Sequence, residues 1–332
     1  MTVTIGLIGA GSITRAHIKG YLAIPDRARV TAVADVSEDN ARRRAEQVGG
    51  AAVYADYGEM IASADVDAVD ICLPHHLHAP AIIAAARAGK HILCEKPLCL
   101  TPAEADAVEQ AVRDSGVTLM CAHNQLFLPT VARARQLIDE GALGTVYELR
   151  TTDSFHNNFD PANMGWRAHQ ATSGGGELID TGYHPTYLLL HLAASEPVAV
   201  SAMLSTHRLT FSEGEDSAQL LVRFADGKVG SIVTSWAYEA APFTEKFSAV
   251  GDKGSLWSDG HVVHHKQLGG EASTVTLPET DTFAAEIADF VDCVSEGRRP
   301  VNTEVEGIAV LKVILAAYRS ADENRTVSLS DL

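Results

Sequence analysis

The stretch TVTIGLIGAGSIT, residues 2–14, decides the reading of this chain. A β-branched run, residues 2–8, leads directly into Gly9-Ala10-Gly11-Ser12-Ile13-Thr14, and a helical pattern follows over residues 13–23. Glycine between a strand and a helix permits a tight turn and close backbone approach, while the helix N-terminus offers amides and positive potential to a pyrophosphate. The third glycine of the usual fingerprint is replaced by Thr14, so the loop alone is an incomplete signal. Asp35 adds a second one. It ends the run TAVAD, residues 31–35, about 20 residues or slightly more beyond the glycines, where a carboxylate accepts from adenosine ribose hydroxyls and repels a 2′-phosphate. NAD is therefore expected rather than NADP, with Arg42 and Arg43 as opposing charges one helix onward. The plainer role for Asp35 is a helix N-cap before Glu38.

Outward from this loop, residues 1–122 alternate short apolar runs with longer helical patterns. Residues 2–8, 30–34, 68–73, 91–94 and 117–121 read as strands, and their unbroken apolarity suits a parallel sheet covered on both faces. Residues 13–23, 38–48, 79–88 and 102–114 read as helices, the last opened by the capping box Thr101-Pro102-Ala103-Glu104. This predicts an N-terminal Rossmann domain with a doubly wound parallel sheet, residues 1–122. Residues 123–332 read as an α+β domain with a large, mostly antiparallel sheet, expected to bind substrate and to oligomerise. Its hairpin signals include Asp226-Gly227 between residues 220–224 and 229–236.

The 332 residues are 46% hydrophobic and 21% charged, enough for two cores. A formal net charge of −17 argues against nucleic-acid and anionic-membrane partners. Residues 1–10 carry neither a basic leader nor a membrane-length apolar run, so a cytoplasmic protein is expected. The five cysteines are an odd number without a CxxC pair, which points to buried free thiols rather than disulfides or a zinc knuckle.

Two further stretches carry chemistry. Glu95-Lys96-Pro97 follows what counts as the fourth strand, at its carboxyl end, where open α/β sheets bind ligands. A Lys96 ammonium there can hydrogen-bond a substrate oxygen and, with its pKa lowered, take up the hydroxyl proton as an alcohol becomes a carbonyl. The Lys96–Pro97 bond is a candidate for cis geometry. In GGGELIDTGYH, residues 174–184, Asp180 and His184 are four apart and share a face if one helix spans them, an arrangement that orients an imidazole. The three glycines suggest close backbone approach to a ligand. His75, His76 and His78 raise a metal alternative, but their spacing does not converge on one ion and no carboxylate accompanies them, so no metal is expected.

GAGSIT, Ala34-Asp35, CLPHHLH at 72–78, Glu95-Lys96-Pro97, Trp166-Arg167, GGGELIDTGYH, EGRRP at 296–300 and the ending AAYRSADENRTVSL occur in order. In this the chain resembles the Gfo/Idh/MocA oxidoreductases over nearly its whole length. The resemblance implies that Lys96 and His184 are the acid–base groups, with Asp180 assisting. It places Gly9, Gly11, Ser12, Ile13 and Asp35 on the adenosine and pyrophosphate, and Leu73, Pro74, His78, Glu95, Lys96, Asn124, Trp166 and Arg167 along the nicotinamide half. His123, His156, Asn157 and Tyr183 join Lys96 and His184 as substrate contacts. Tyr187 stands where many members carry an acid, and His123-Asn124-Gln125 where an Asn-Arg type sequence is common.

The expected function is NAD-dependent hydride transfer to or from a hydroxyl-bearing carbon of a small polyhydroxylated substrate, a sugar, cyclitol or sugar derivative, in the cleft between the domains. The alternatives are glycoside cleavage through transient sugar oxidation and a non-catalytic sugar or dinucleotide sensor. Lys96, Asp180 and His184 together argue against the sensor. The second domain's sheet, with residues 229–236 and 247–250, is expected to make a homodimer or homotetramer.

Overall fold

The apolar run VTIGLI forms β1 (Val3–Ile8), an interior strand of a six-stranded parallel sheet. The computed structural model describes residues 2–242 and 244–332. After β1 come α1 (Thr14–Leu22), β2 (Ala28–Ala34), α2 (Glu38–Gln47), β3 (Ala52–Tyr54), α3 (Tyr57–Ser63) and β4 (Ala68–Ile71). Next are α4 (His78–Arg87), β5 (His91–Glu95), α5 (Pro102–Ser115) and β6 (Leu119–Ala122). The strand order β3-β2-β1-β4-β5-β6 reverses direction of growth between β1 and β4, the switch point at which such sheets take a dinucleotide. The predicted Thr101–Glu104 capping box opens α5.

Neither β3 nor α3 is apparent in the sequence. β3 has only three residues and its first two are exposed, so this edge strand lacks the apolar run that marks its neighbours. Glu95-Lys96-Pro97 consequently follows the fifth strand, not the fourth.

The chain then forms α6 (Pro129–Asp139), β7 (Val146–Ser154), α7 (Gln170–Ser173), α8 (Glu177–Asp180) and α9 (Tyr183–Ala193). Seven strands follow: β8 (Pro197–Ser205), β9 (Ser217–Phe224), β10 (Val229–Ser235), β11 (Phe247–Gly251), β12 (Gly254–Ser258), β13 (Val262–Gln267) and β14 (Ala272–Thr276). The chain closes with α10 (Thr282–Glu296), α11 (Glu304–Glu323) and β15 (Val327–Ser328). The second sheet is nine-stranded, in the order β14-β13-β12-β11-β7-β10-β9-β8-β15. Its ladders are antiparallel except the parallel β7–β10 pair.

Two units result, residues 1–124 with 281–308, and residues 125–280 with 309–332. In the first, α10 packs on α1: a Cβ added at Gly20 would lie 2.6 Å from Ile287 Cδ1, and Lys19 pairs with Asp281 at 2.6 Å. The sequence reading assigned this helix to the C-terminal domain, because its apolar face does not say which sheet it covers. In the second unit one face of the sheet is covered by α9, with Leu189 2.6 Å from a Cβ position at Gly230. β9 alternates accordingly, Leu220, Val222 and Phe224 buried and Leu221 exposed. Among the described residues no helix is long and apolar enough to cross a membrane.

Candidate dinucleotide site and acid–base groups

In the first unit the glycine loop is held from three sides. Gly9 has φ +95°, and a Cβ there would lie 2.3 Å from the Cys72 carbonyl oxygen, so only glycine fits. Thr14 Oγ1 donates to the Gly9 carbonyl at 2.9 Å inside the core, giving a reason for the missing third glycine. Arg44 donates to the carbonyls of Ala10 and Gly11 at 3.3 and 2.7 Å. Asp35 Oδ2 accepts the Ala10 N–H at 2.7 Å and Oδ1 accepts that of Ser37 at 2.7 Å. Ser37, not Asp35, is the N-cap of α2. Arg42 is paired with Glu38 and Arg43 with Asn40, both along the exposed side of α2.

This loop fits a pyrophosphate. A Cβ at Gly11 would meet nothing within 4 Å, Ser12 is exposed, Ile13 is half-buried, and no side chain caps the N-terminus of α1. The backbone amides and the helix dipole are thus presented beside an open surface. Asp35, directly after β2, stands beside this loop with its two carboxylate oxygens engaged by the Ala10 and Ser37 amides.

At the carboxyl ends of β4 and β5, Leu73, Pro74 and Lys96 are half-buried, and the Lys96–Pro97 bond is cis. Two residues expected along the nicotinamide turn inward instead. His78 is fully buried, its Nδ1 2.7 Å from the Pro97 carbonyl oxygen and its Nε2 2.8 Å from that of Leu73. Burial pushes this imidazole below its ordinary value, and the ring fills the space between the two strand-end loops, with one N–H to give to one of the two carbonyls. Glu95 points into the core, with Oε1 3.0 Å from His17 Nε2 and Oε2 accepting the Lys96 N–H at 3.1 Å. Asn124 donates to Thr282 Oγ1 at 3.1 Å, and His123 is buried.

In the second unit Asp180 ends α8 and His184 lies in the first turn of α9, so two short helices rather than one carry them. Arg167 Nε donates to Asp180 Oδ2 at 2.6 Å, and its guanidinium stacks over the Trp166 ring at 4.2 Å. His184 Nδ1 lies 2.8 Å from the Tyr187 hydroxyl, whose oxygen accepts the Gln125 N–H at 3.0 Å. Tyr183 is fully buried, edge-on to Tyr187, which places it in the packing rather than at a substrate hydroxyl. His156 is exposed and Asn157 half-buried on the loop after β7, the latter's N–H bonded to the Trp236 carbonyl at 2.9 Å.

The three glycines receive a different explanation from the expected one. Cβ atoms at Gly175 and Gly176 would lie 2.1 Å from the Tyr318 hydroxyl and 1.9 Å from the Glu215 carbonyl oxygen. The close approach is to the chain itself. Glu215 then caps α8, accepting the N–H groups of Gly176 and Leu178 at 3.2 and 2.8 Å and the Tyr318 hydroxyl at 3.2 Å. Burial pushes its carboxyl up to about 7. Glu177, fully buried, accepts from Thr234 Oγ1 and is likewise pushed well up by burial.

Residues 3–123 match the family described as an oxidoreductase family with an NAD-binding Rossmann fold, and residues 131–257 match the Gfo/Idh/MocA C-terminal domain. The chain belongs to the Gfo/Idh/MocA oxidoreductase family. It is 34% identical to a levoglucosan dehydrogenase of Pseudarthrobacter phenanthrenivorans over 69% of this chain and 66% of that one. It is 30% identical to an inositol 2-dehydrogenase of Rhizobium meliloti over 99% of this chain and 100% of that one. A solved levoglucosan dehydrogenase, in complex with NADH and levoglucosan, superposes with a TM-score of 0.91 at 28% identity, covering 99% and 100% of the two chains. As a Gfo/Idh/MocA member the chain is a sugar oxidoreductase of the dehydrogenase and reductase type, with an NAD-binding first unit.

For this Gfo/Idh/MocA chain, sequence reasoning missed the parts played by Arg44, Tyr187 and Glu215. Arg44 reads as one of three consecutive arginines on a polar helix, and only the fold, which buries it while Arg42 and Arg43 stay exposed, distinguishes it. Tyr187 departs from the family pattern, and its spacing of three from His184 is the signal the sequence offers.

Proposed function

We propose that this enzyme oxidises, with NAD, a secondary alcohol of a small sugar, cyclitol or anhydrosugar, or runs the reverse reduction. The observation that carries this is Lys96 at the carboxyl end of β5, in the same sheet whose switch point holds the glycine loop and Asp35. Bound there, NAD supplies the hydride acceptor. Lys96 supplies a positive N–H donor to the substrate oxygen, lowering the cost of the charge that oxygen gains as its proton leaves. His184 is the proton-accepting group. The Tyr187 hydroxyl fixes the ring through Nδ1, and in the tautomer that carries its proton on Nδ1 the other nitrogen, Nε2, is the one a general base uses. Arg167 orients Asp180 through its Nε–H. Relatives named for levoglucosan and inositol oxidation support a ring polyol as substrate class.

The open face of the second sheet supports association. Tyr147, Met203, Leu221 and Val229 are all exposed on it, and it is the face not covered by α9. A second copy of the chain burying these side chains would form a homodimer or homotetramer. All five cysteines are buried free thiols, which suits a cytoplasmic enzyme.

The test is NAD reduction across levoglucosan, inositols and aldoses, repeated with NADP and with K96M. Turnover of one ring polyol with NAD, abolished in K96M at unchanged NAD affinity, is expected. Undiminished turnover in K96M overturns the assignment of Lys96. Cleavage of an aryl glycoside without net NADH would instead establish the elimination chemistry.

A further inference from the structure

Behind Lys96, and away from the surface offered to a dinucleotide, the core of the first unit holds an unusual collection of titratable groups. His17 on α1, Asp70 on β4, Cys72 just beyond it, Glu95 on β5 and Glu286 on α10 are all buried. His17 is their centre. Its Nδ1 lies 2.9 and 3.1 Å from the two carboxylate oxygens of Asp70, and its Nε2 lies 3.0 Å from Glu95 Oε1.

Ionised carboxylates only accept hydrogen bonds, so a ring contacting one at each nitrogen carries a proton on both. Burial disfavours the cation, but the adjoining Asp70 outweighs it and holds the imidazole well above its ordinary range. The same contact keeps Glu95 low despite its burial. Glu286 has neither carboxylate oxygen hydrogen-bonded among the described residues; burial, then the facing Glu95, Asp70 and Asp289 carboxyls, hold its own well up against the opposing pull of His17, which favours the neutral acid. Tyr21 and Cys72 border the cluster, and burial pushes both up, so they too are uncharged. The arrangement is carboxylate, imidazolium, carboxylate, closed by neutral groups.

What this clamp touches gives it a use. Glu95 Oε2 accepts the backbone N–H of Lys96 at 3.1 Å. We propose that His17 is a positioning residue: as an imidazolium fixed between Asp70 and Glu95, it holds the Glu95 carboxylate and, through it, the main chain from which Lys96 reaches the substrate. The kinetic part rests on the role given to Lys96 above; the charge on the ring does not. His17, Asp70 and Cys72 also have atoms close enough to share a metal ion. The clamp needs none, since both ring nitrogens are already satisfied by the carboxylates.

Two measurements test it on the full-length enzyme. Long-range proton–nitrogen spectra of histidine-labelled protein, with His17 assigned by its loss in H17Q, read the ring without any substrate. Both nitrogens should stay protonated well above the pH at which an ordinary imidazole loses its proton. A neutral His17 near pH 7.5, or a stoichiometric metal ion removed by chelation with a change in the His17 signals, overturns the clamp. In the second, H17Q should lower kcat about 100-fold, as misplacement of a catalytic group by about 1 Å does, with NAD affinity unchanged. D70N, which keeps the imidazole, should fall between, with the His17 pKa lowered. If H17Q does not fold, D70N alone decides: unchanged kcat with an unchanged ring pKa overturns the proposal, as does a kcat in H17Q equal to wild type. Inactivity of the wild type on every polyol would count against the role of Lys96, while the spectra would still judge the clamp.

Discussion

The hydroxyl of Tyr187 sits 2.8 Å from Nδ1 of His184, one helical turn further along α9. A phenol hydrogen-bonds that nitrogen without bringing the negative charge a carboxylate at the same position would. The imidazole is thereby oriented.

Replacing Tyr187 with Phe should therefore cost orientation more than fold. Y187F is expected to lower kcat roughly 10-fold, less than the loss of a general base itself, which costs about 100-fold or more. The Gln125 N–H loses its acceptor, at about 1 kcal/mol of stability. Steady-state kinetics with NAD affinity measured by fluorescence separate the two effects. Unaltered kcat would remove Tyr187 from the catalytic arrangement.

Two glycines make opposite predictions. At Gly176 a methyl would strike the Glu215 carbonyl at 1.9 Å, so G176A should lose about 3 kcal/mol or more of stability. At Gly11 a methyl meets no protein atom within 4 Å, so G11A should melt like wild type while binding NAD roughly 10-fold or more weakly, because the methyl enters the pyrophosphate's space. Thermal melts and NAD titration of both variants give the comparison. A destabilised G11A would contradict it.

Asp35 bonds the Ala10 amide through one oxygen and that of Ser37 through the other, while each oxygen retains a lone pair for a ribose hydroxyl. D35S should raise KM for NAD by about 10-fold, a loss near 1.4 kcal/mol, and should narrow the preference over NADP. Arg42 and Arg43, engaged along α2, are not expected to rescue NADP binding by themselves.

Glu215 makes stability depend on pH. Its folded-state carboxyl is raised from 4.5 to about 7, so the folded protein holds a proton that the unfolded chain releases first. The stabilisation is complete below the unfolded value and disappears as pH rises through the folded one. Wild type should thus lose stability relative to E215Q between pH 4.5 and about 7, by on the order of 2 kcal/mol after allowance for partial exposure. Melting both proteins across this window checks the sign. A gap that widens in favour of wild type with rising pH would refute it.

The β–α alternation, the glycine loop, Asp35, the capping box at Thr101 and the Asp226-Gly227 hairpin were legible in the sequence. Each is set by neighbours within one turn or one strand, through periodicity, caps and turn residues. The strand-end placement of Lys96 followed for the same reason, although missing the short edge strand β3 shifted its count.

Only the tertiary structure decided which way the marked residues face. His78 and Glu95 stand in motifs that look like ligand contacts, yet one bridges two loop carbonyls and the other meets His17, 78 residues earlier in the chain. The glycines at 174–176 look like a cradle for a ligand, and two of them instead admit Tyr318 and Glu215. The apolar face of α10 shows that it packs, but not that it packs on α1. In each case the deciding energy is burial or a hydrogen bond between groups distant in sequence. A carboxylate or imidazole has the same local pattern whether it faces a substrate or another side chain, and only the assembled core distinguishes the two.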